Sequence, residues 1–367
     1  MADSEVADPT RDPVRGGSFG KRAFWIAGSG AILLVGLAVA VLVILDSSPQ
    51  PRPSPVPNAY DDLIVAARMI GGVIPPKLSA PDVPRNELQA FVEANQESLQ
   101  WARDGLGKPC GVWLTFGQNT QPILDRIGAL RNLGRLFYAE GKLAELGGEN
   151  GTAAESYADA IRLSHECRRG GLLLDSLTGI AIESMGIEGL SGLRDQLNET
   201  QCRELIAQLN KLENNREPYD TYLTNEAIWR KQSIPIYQRF ILGVSGTGRD
   251  LLQVSIDQGE FAYKQSQARA RLLLLSLALQ AYFDQRRAFP ERLTELVPDY
   301  LPNHLQDPFS DRPFLYRRIE AGVIVYSIGP DGNDDVGRPL DKSRDPNTAQ
   351  GDMVVKLSGP TAESSRP

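Results

Sequence analysis

The sequence is poor in the residues that most polar chemistry draws on. Only two histidines, His165 and His304, and three cysteines, Cys110, Cys167 and Cys202, occur in 367 residues. Their spacing fits no zinc-ligand pattern, and so few cysteines exclude a disulfide framework, leaving room for one bridge and one spare thiol. Positive charge is not in excess: 39 Lys and Arg stand against 46 Asp and Glu, a net charge of −7. A chain without a basic surplus lacks the electrostatic footprint of a phosphate-backbone binder, so nucleic acid is not an expected partner. Catalytic motifs are missing as well. There is no G-x-S-x-G elbow, and Gly243-Val-Ser-Gly-Thr-Gly-Arg249 lacks the Lys-Ser/Thr pair of a phosphate loop, so it reads as an interhelix loop. His165, Glu166 and Cys167 are adjacent, but neighbours on a helix point in different directions.

What the sequence does have, near its start, is one long apolar run. Residues 23–45 carry no charge, and at about 1.5 Å per residue such a stretch covers a hydrocarbon core of about 30 Å. Arg11, Arg15, Lys21 and Arg22 precede it, whereas Asp46, Asp61 and Asp62 follow with only Arg52 between. The positive-inside rule then predicts a single pass, with 1–22 cytoplasmic and the bulk of the chain exported. Ala38-Val39-Ala40 could mimic a signal-peptidase site, but the apolar run continues past it and exceeds the length of a signal h-region, which favours an uncleaved anchor. A prepilin junction would need Gly-Phe with a Glu five residues on, and Gly20 is followed by Lys21, Arg22, Ala23, Phe24 and Trp25. Residues 46–58, with alternating prolines, are expected to form an extended spacer.

From residue 59 to about 249 the apolar pattern is helical. Leu124, Ile127, Leu130, Leu133, Leu136 and Phe137 suggest one packed face, and Asn198 is placed to cap a helix carrying Cys202, Leu205, Ile206 and Leu209. Gly147, Gly148 and Gly151 break the pattern and imply an antiparallel helix pair. That pair resembles a tetratricopeptide repeat: Phe137, Gly141 and Ala144, then Ala153, Tyr157 and Ala160, stand at that family's offsets. The match spans one repeat, and helix packing through small residues gives the same pattern.

The C-terminal part, 250–357, changes character. A stripe of Ala268, Leu272, Leu275, Leu279 and Tyr282 predicts a long helix ending at Phe289-Pro290. Residues 293–301 then add a short turn of helix bounded by Pro298 and Pro302. Then come two β-rich runs, 314–319 and 323–328, joined through Glu320-Ala-Gly322, with a third strand at 353–357. The ordered segments ALQAYFDQRRAFPERLTELVPDYLP, DPFSDRPFLYRR and VIVYSIGPDGNDD resemble the globular part of the major pseudopilin of type II secretion systems. The resemblance covers the last 80 to 100 residues and implies a small antiparallel sheet on a long helix, with a calcium-holding acidic loop. Its expected ligands are Asp331, Asn333, Asp334 and Asp335, with carbonyls of Ser327 and Ile328 and a late ligand in Asp352. Calcium takes six to eight oxygens, and Gly332 permits the sharp turn such a loop needs. An EF-hand is excluded, since Val336 stands where its glycine belongs and Lys342 where its glutamate does.

The expected fold class is therefore α+β: a single transmembrane helix, a mostly helical, tetratricopeptide-like central domain, and a small pseudopilin-like antiparallel sheet packed on a long helix, with 358–367 a disordered tail. The expected function is that of a single-pass bacterial envelope protein without enzymatic activity. It binds other envelope proteins or acts as a scaffold, linked to a type II secretion-like system, with calcium in a structural role. Two alternatives stand beside it: an envelope hydrolase using carboxylates such as Asp159 or Glu183, and a pseudopilin-like filament subunit. No feature of the sequence sets an oligomeric state.

Overall fold

The computed structural model describes residues 52–76, 78, 83–235, 237–238, 246–341 and 350–359. All of them belong to one compact unit, Pro51–Pro367. The helices are α1 (Ala59–Met69), α2 (Arg85–Glu93), α3 (Gln96–Leu106), α4 (Gln121–Leu146), α5 (Asn150–Glu166), α6 (Leu173–Leu193), α7 (Glu199–Asn214), α8 (Tyr219–Ser233) and α9 (Gly246–Arg286). Five strands follow. β1 (Gln306–Asp307) pairs with β2 (Arg312–Pro313), while β3 (Leu315–Ile319), β4 (Gly322–Ser327) and β5 (Met353–Ser358) form an antiparallel sheet in the order β3-β4-β5.

The fold class needs one correction. Among the described residues no helix is long and apolar enough to cross a membrane. The longest, α9, has 41 residues but carries Glu260, Lys264, Arg269 and Arg271 along its length. The expected span, 23–45, lies outside the described residues, so the fold described is α+β without a spanning element. The proline-containing segment also behaves differently from a free spacer. Asn58 accepts from the Gly111 N–H at 3.0 Å and donates to the Gly111 carbonyl at 2.8 Å, which ties the end of the segment to the body. Arg52 reaches Glu217 at 3.3 Å.

Local sequence explains the helical layer. Gly148, at φ +77°, reverses the chain between α4 and α5. Asn198 caps α7, its side chain accepting from the Gln201 N–H while Gln201 accepts from the Asn198 N–H. The closest helix contact, α5 on α6, depends on glycine. A Cβ at Gly186 would stand 2.6 Å from the Tyr157 carbonyl oxygen, and one at Gly179 would stand 2.6 Å from that of Ser164. All six residues that suggest a tetratricopeptide repeat are buried where α4 and α5 meet, with Gly141 facing the Tyr157 ring. The apolar face expected for α4 holds at Ile127, Leu130, Leu133, Leu136 and Phe137, all buried, and fails at Leu124, which is exposed while Ile123 is buried.

Helix α9 holds the two halves of the fold together. It packs on α6 and α7 and also on β4 and β5, and Leu272, Leu273, Leu274, Leu275, Leu277 and Leu279 are all buried. Burial on both sides replaces the expected single stripe. Its first turn, from Gly246, also takes up part of the expected interhelix loop, whose residues 243–245 are outside the described set. The β3–β4 hairpin turns on two residues, Glu320 and Ala321, with Ile319 opposite Gly322, one residue fewer than expected.

Candidate interaction site

The terminal loop shows where the expected calcium ligands go. Asp331 accepts from the N–H groups of Asn333 at 3.1 Å and Gly351 at 3.3 Å. Asp334 accepts from the Val336 N–H and the Tyr326 hydroxyl, and Asp335 pairs with Arg338 at 2.9 Å. Asp352, fully buried, spends one oxygen on the Asp335 N–H and the other on the Gly337 N–H. Ser327 and Ile328 turn their hydroxyl and N–H to Asp307, and Asn333 lies exposed at the tip. The donor set is all oxygen, the type calcium takes, yet its carboxylates staple backbone amides. Among the described residues no group of three or more His, Cys, Asp or Glu is arranged to hold a metal ion. Burial raises the Asp352 carboxyl above the usual range; the two amides pull it down, and nearby Asp334 and Asp335 push it up again.

The residue that organises this end of the molecule is Asp307. It is 1% exposed and accepts from the Ser327 hydroxyl at 2.8 Å, the Ile328 N–H at 3.1 Å and the Phe309 N–H at 3.1 Å. It thereby joins the β1–β2 pair to the end of β4.

The two carboxylates weighed as hydrolytic are both held in ion pairs. Glu183 on α6 is fully buried. It receives Arg216 at 2.5 Å, Arg168 at 3.4 Å, His165 at 3.3 Å, and the Ser266 hydroxyl from α9. Glu213 extends the network, bridging Arg216 and Arg271. Burial works against the Glu183 charge, but Arg168 and Arg216 outweigh it and hold the carboxyl well below its ordinary range. Burial, with Arg168 and Arg216 adding repulsion, lowers His165 to about 3. It is therefore a neutral imidazole, donating from Nε2 to Glu183. The space beside this network is about 10 Å³, about the smallest that holds one water. Asp159, 2% exposed, is paired with Arg103 and Arg162; burial raises its carboxyl and the two guanidiniums oppose that. A further buried pair, Arg126 with Asp175 at 3.1 Å, lies beneath the rings of Tyr60 and Trp113. The three cysteines are buried free thiols, and burial pushes Cys167 and Cys202 up to about 12.

About 410 Å³ of open space borders Asp159 beside Arg103 and Arg162, and a larger space lies elsewhere. A groove of about 470 Å³ runs between α6, α9 and the start of β5. Its walls are apolar, with Ile187 from α6, Leu272 and Leu273 from α9, and Met353, Val354 and Val355 from β5. Two features stand out. First, β5 is an edge strand. Its pairing with β4, continued by the Gly359 N–H to the Ala321 carbonyl, turns the N–H and C=O of Val354 and Lys356 away from β4. The same outward edge is used at Asp352, which exchanges hydrogen bonds with Arg338 and Leu340, and at the Lys356 carbonyl, which accepts from Arg194 at 3.3 Å. At Val354, among the described residues, neither group has a partner. Second, Arg269 on α9, exposed to solvent, lines the groove with no carboxylate in ion-pair reach among the described residues.

Sequence reasoning did not single out Arg269 or Val354 as site residues, and it read Asp307-Pro-Phe309 as a turn that docks the sheet and not as a catalytic acid. The signal for Val354 was present, since a third strand at the end of a three-stranded sheet must be an edge. Arg269 reads in the sequence like any solvated helix arginine, and it is exposed on α9; only its place in the groove sets it apart. No family model, curated protein or solved structure matches the chain.

Proposed function

We propose that this chain is a protein-binding scaffold whose helical layer and small sheet, fastened along α9, form a groove for another protein. The observation that carries this reading is the division of polar groups. The densest titratable cluster, around Glu183, is closed on itself beside about 10 Å³ of space, whereas the groove of about 470 Å³ offers apolar walls, an open strand edge and an uncompensated arginine. A general acid or base has to reach its substrate, and Glu183 and Asp159 are committed to arginines. The order of pseudopilin-like segments is the ground for placing the partner within a secretion-type assembly. In this reading calcium acts at the terminal loop, relieving the repulsion among Asp334, Asp335 and Asp352. Calcium is expected to raise the melting temperature and a chelator to reverse the gain; identical melting curves would reject that part.

The test is site-specific photo-crosslinking in the native host. A photoreactive residue replacing Ser191, at the groove, is expected to give a discrete adduct with another protein. One replacing Gln89, on the exposed side of α2, is expected to give none. Adducts of equal yield at both sites, or none at Ser191, would contradict the reading.

A further inference from the structure

We propose that the groove takes an extended segment of its partner, added as a strand beside β5 and carrying one acidic side chain that pairs with Arg269. This rests on the reading of the groove as a protein-binding site and names the form its occupant takes.

Three observations converge on it. An outward N–H and C=O pair at Val354, a half-buried residue lining the groove, is a hydrogen-bonding template that an added main chain satisfies with both groups at once. Strand addition is the mode that uses such an edge, with main-chain bonds for affinity and alternate side chains for selection. The edge is already extended in this way at its start, where Pro339 bridges Asp352 in parallel and the Asp352 N–H reaches the Arg338 carbonyl at 2.7 Å. An added segment would continue that line toward Lys356. The apolar residues Ile187, Leu272 and Met353 suit every second side chain of a strand. Arg269 supplies the charge: an exposed guanidinium lining the groove, with no counter-ion among the described residues, is complemented by a carboxylate, and the pairing is planar and directional. Glu188, exposed on the opposite wall, disfavours a segment with several acids.

The test uses the full chain and a random heptapeptide library, with the selected peptides resynthesised with blocked ends and measured by fluorescence anisotropy. Selected sequences are expected to alternate apolar residues around a single Asp or Glu. Arg269→Ala is expected to weaken them about tenfold or more, and Arg269→Glu to shift preference to the same peptides with Lys in place of the acid. N-methylation of the peptide is expected to abolish binding at one set of alternate residues and to be tolerated at the other. Val354→Pro, which removes an outward N–H without touching the β4 ladder, is expected to weaken binding while leaving the melting temperature within a few degrees. Peptides that crosslink at Ser191 but ignore N-methylation and Arg269 would overturn strand addition while leaving the groove a docking site. A library that yields no binder at Ser191, or a chain dimer that Arg269→Glu dissociates, would overturn the proposal altogether.

Discussion

At the scale of single residues, stability is concentrated in a few buried polar groups. His165 is lowered from 6.5 to about 3 in the folded chain, so below pH 6.5 the unfolded chain binds a proton that the folded one does not. Stability from this group is complete above that value and lost as pH falls toward 3. The depressed Glu183 acts in the same direction, since protonating it at still lower pH breaks its pairs with Arg168 and Arg216. Urea unfolding from pH 7.5 to 4.5 is expected to show falling stability, and His165→Asn is expected to flatten that dependence. Glu183→Gln is expected to cost about 3–5 kcal/mol at pH 7, because two buried guanidiniums lose their counter-charge. Asp307→Ala, which strands the Ser327 hydroxyl and the Ile328 N–H, is expected to cost about 2–3 kcal/mol in the same assay. None of these roles was readable from residue type alone. His165 and Glu183 are 18 positions apart and meet only because α5 and α6 pack closely; Glu213 and Ser266 arrive from two further helices.

At the scale of elements, the α5–α6 contact depends on what is missing from it. Gly179 and Gly186 let the α5 backbone come within reach, so Gly186→Ala is expected to cost about 1–3 kcal/mol by overpacking, measured by denaturant midpoint at unchanged m. Short-range patterns carried the elements well. β3, β4 and β5 came from β-rich runs, the α7 cap from Asn198, and the α4–α5 reversal from its glycines. What local pattern misplaced came from tertiary packing: Leu124 drifted to the surface of α4, and the apolar residues of α9 are buried all round because helices cover one side and a sheet the other. The groove could not be read locally at all, since its walls come from residues 184–191, 269–273, 339–340 and 352–355.

At the scale of the molecule, α9 makes the helical layer and the sheet one structure. One hydrophobic cluster runs from Tyr60 through α9 to Leu357, so the two halves are expected to unfold together. Fluorescence of Trp113 and Trp229, both in the helical layer, and protection of the β4 amides should be lost at the same denaturant concentration. The same continuity fixes β5 relative to α6, and hence the width of the groove on which the functional proposal depends. The most direct measurement of that proposal is amide hydrogen exchange at Val354, in the free chain and in the complex captured through Ser191. The account expects rapid exchange in the free chain and strong slowing in the complex; protection in the free chain, or exchange unchanged by the partner, would contradict it.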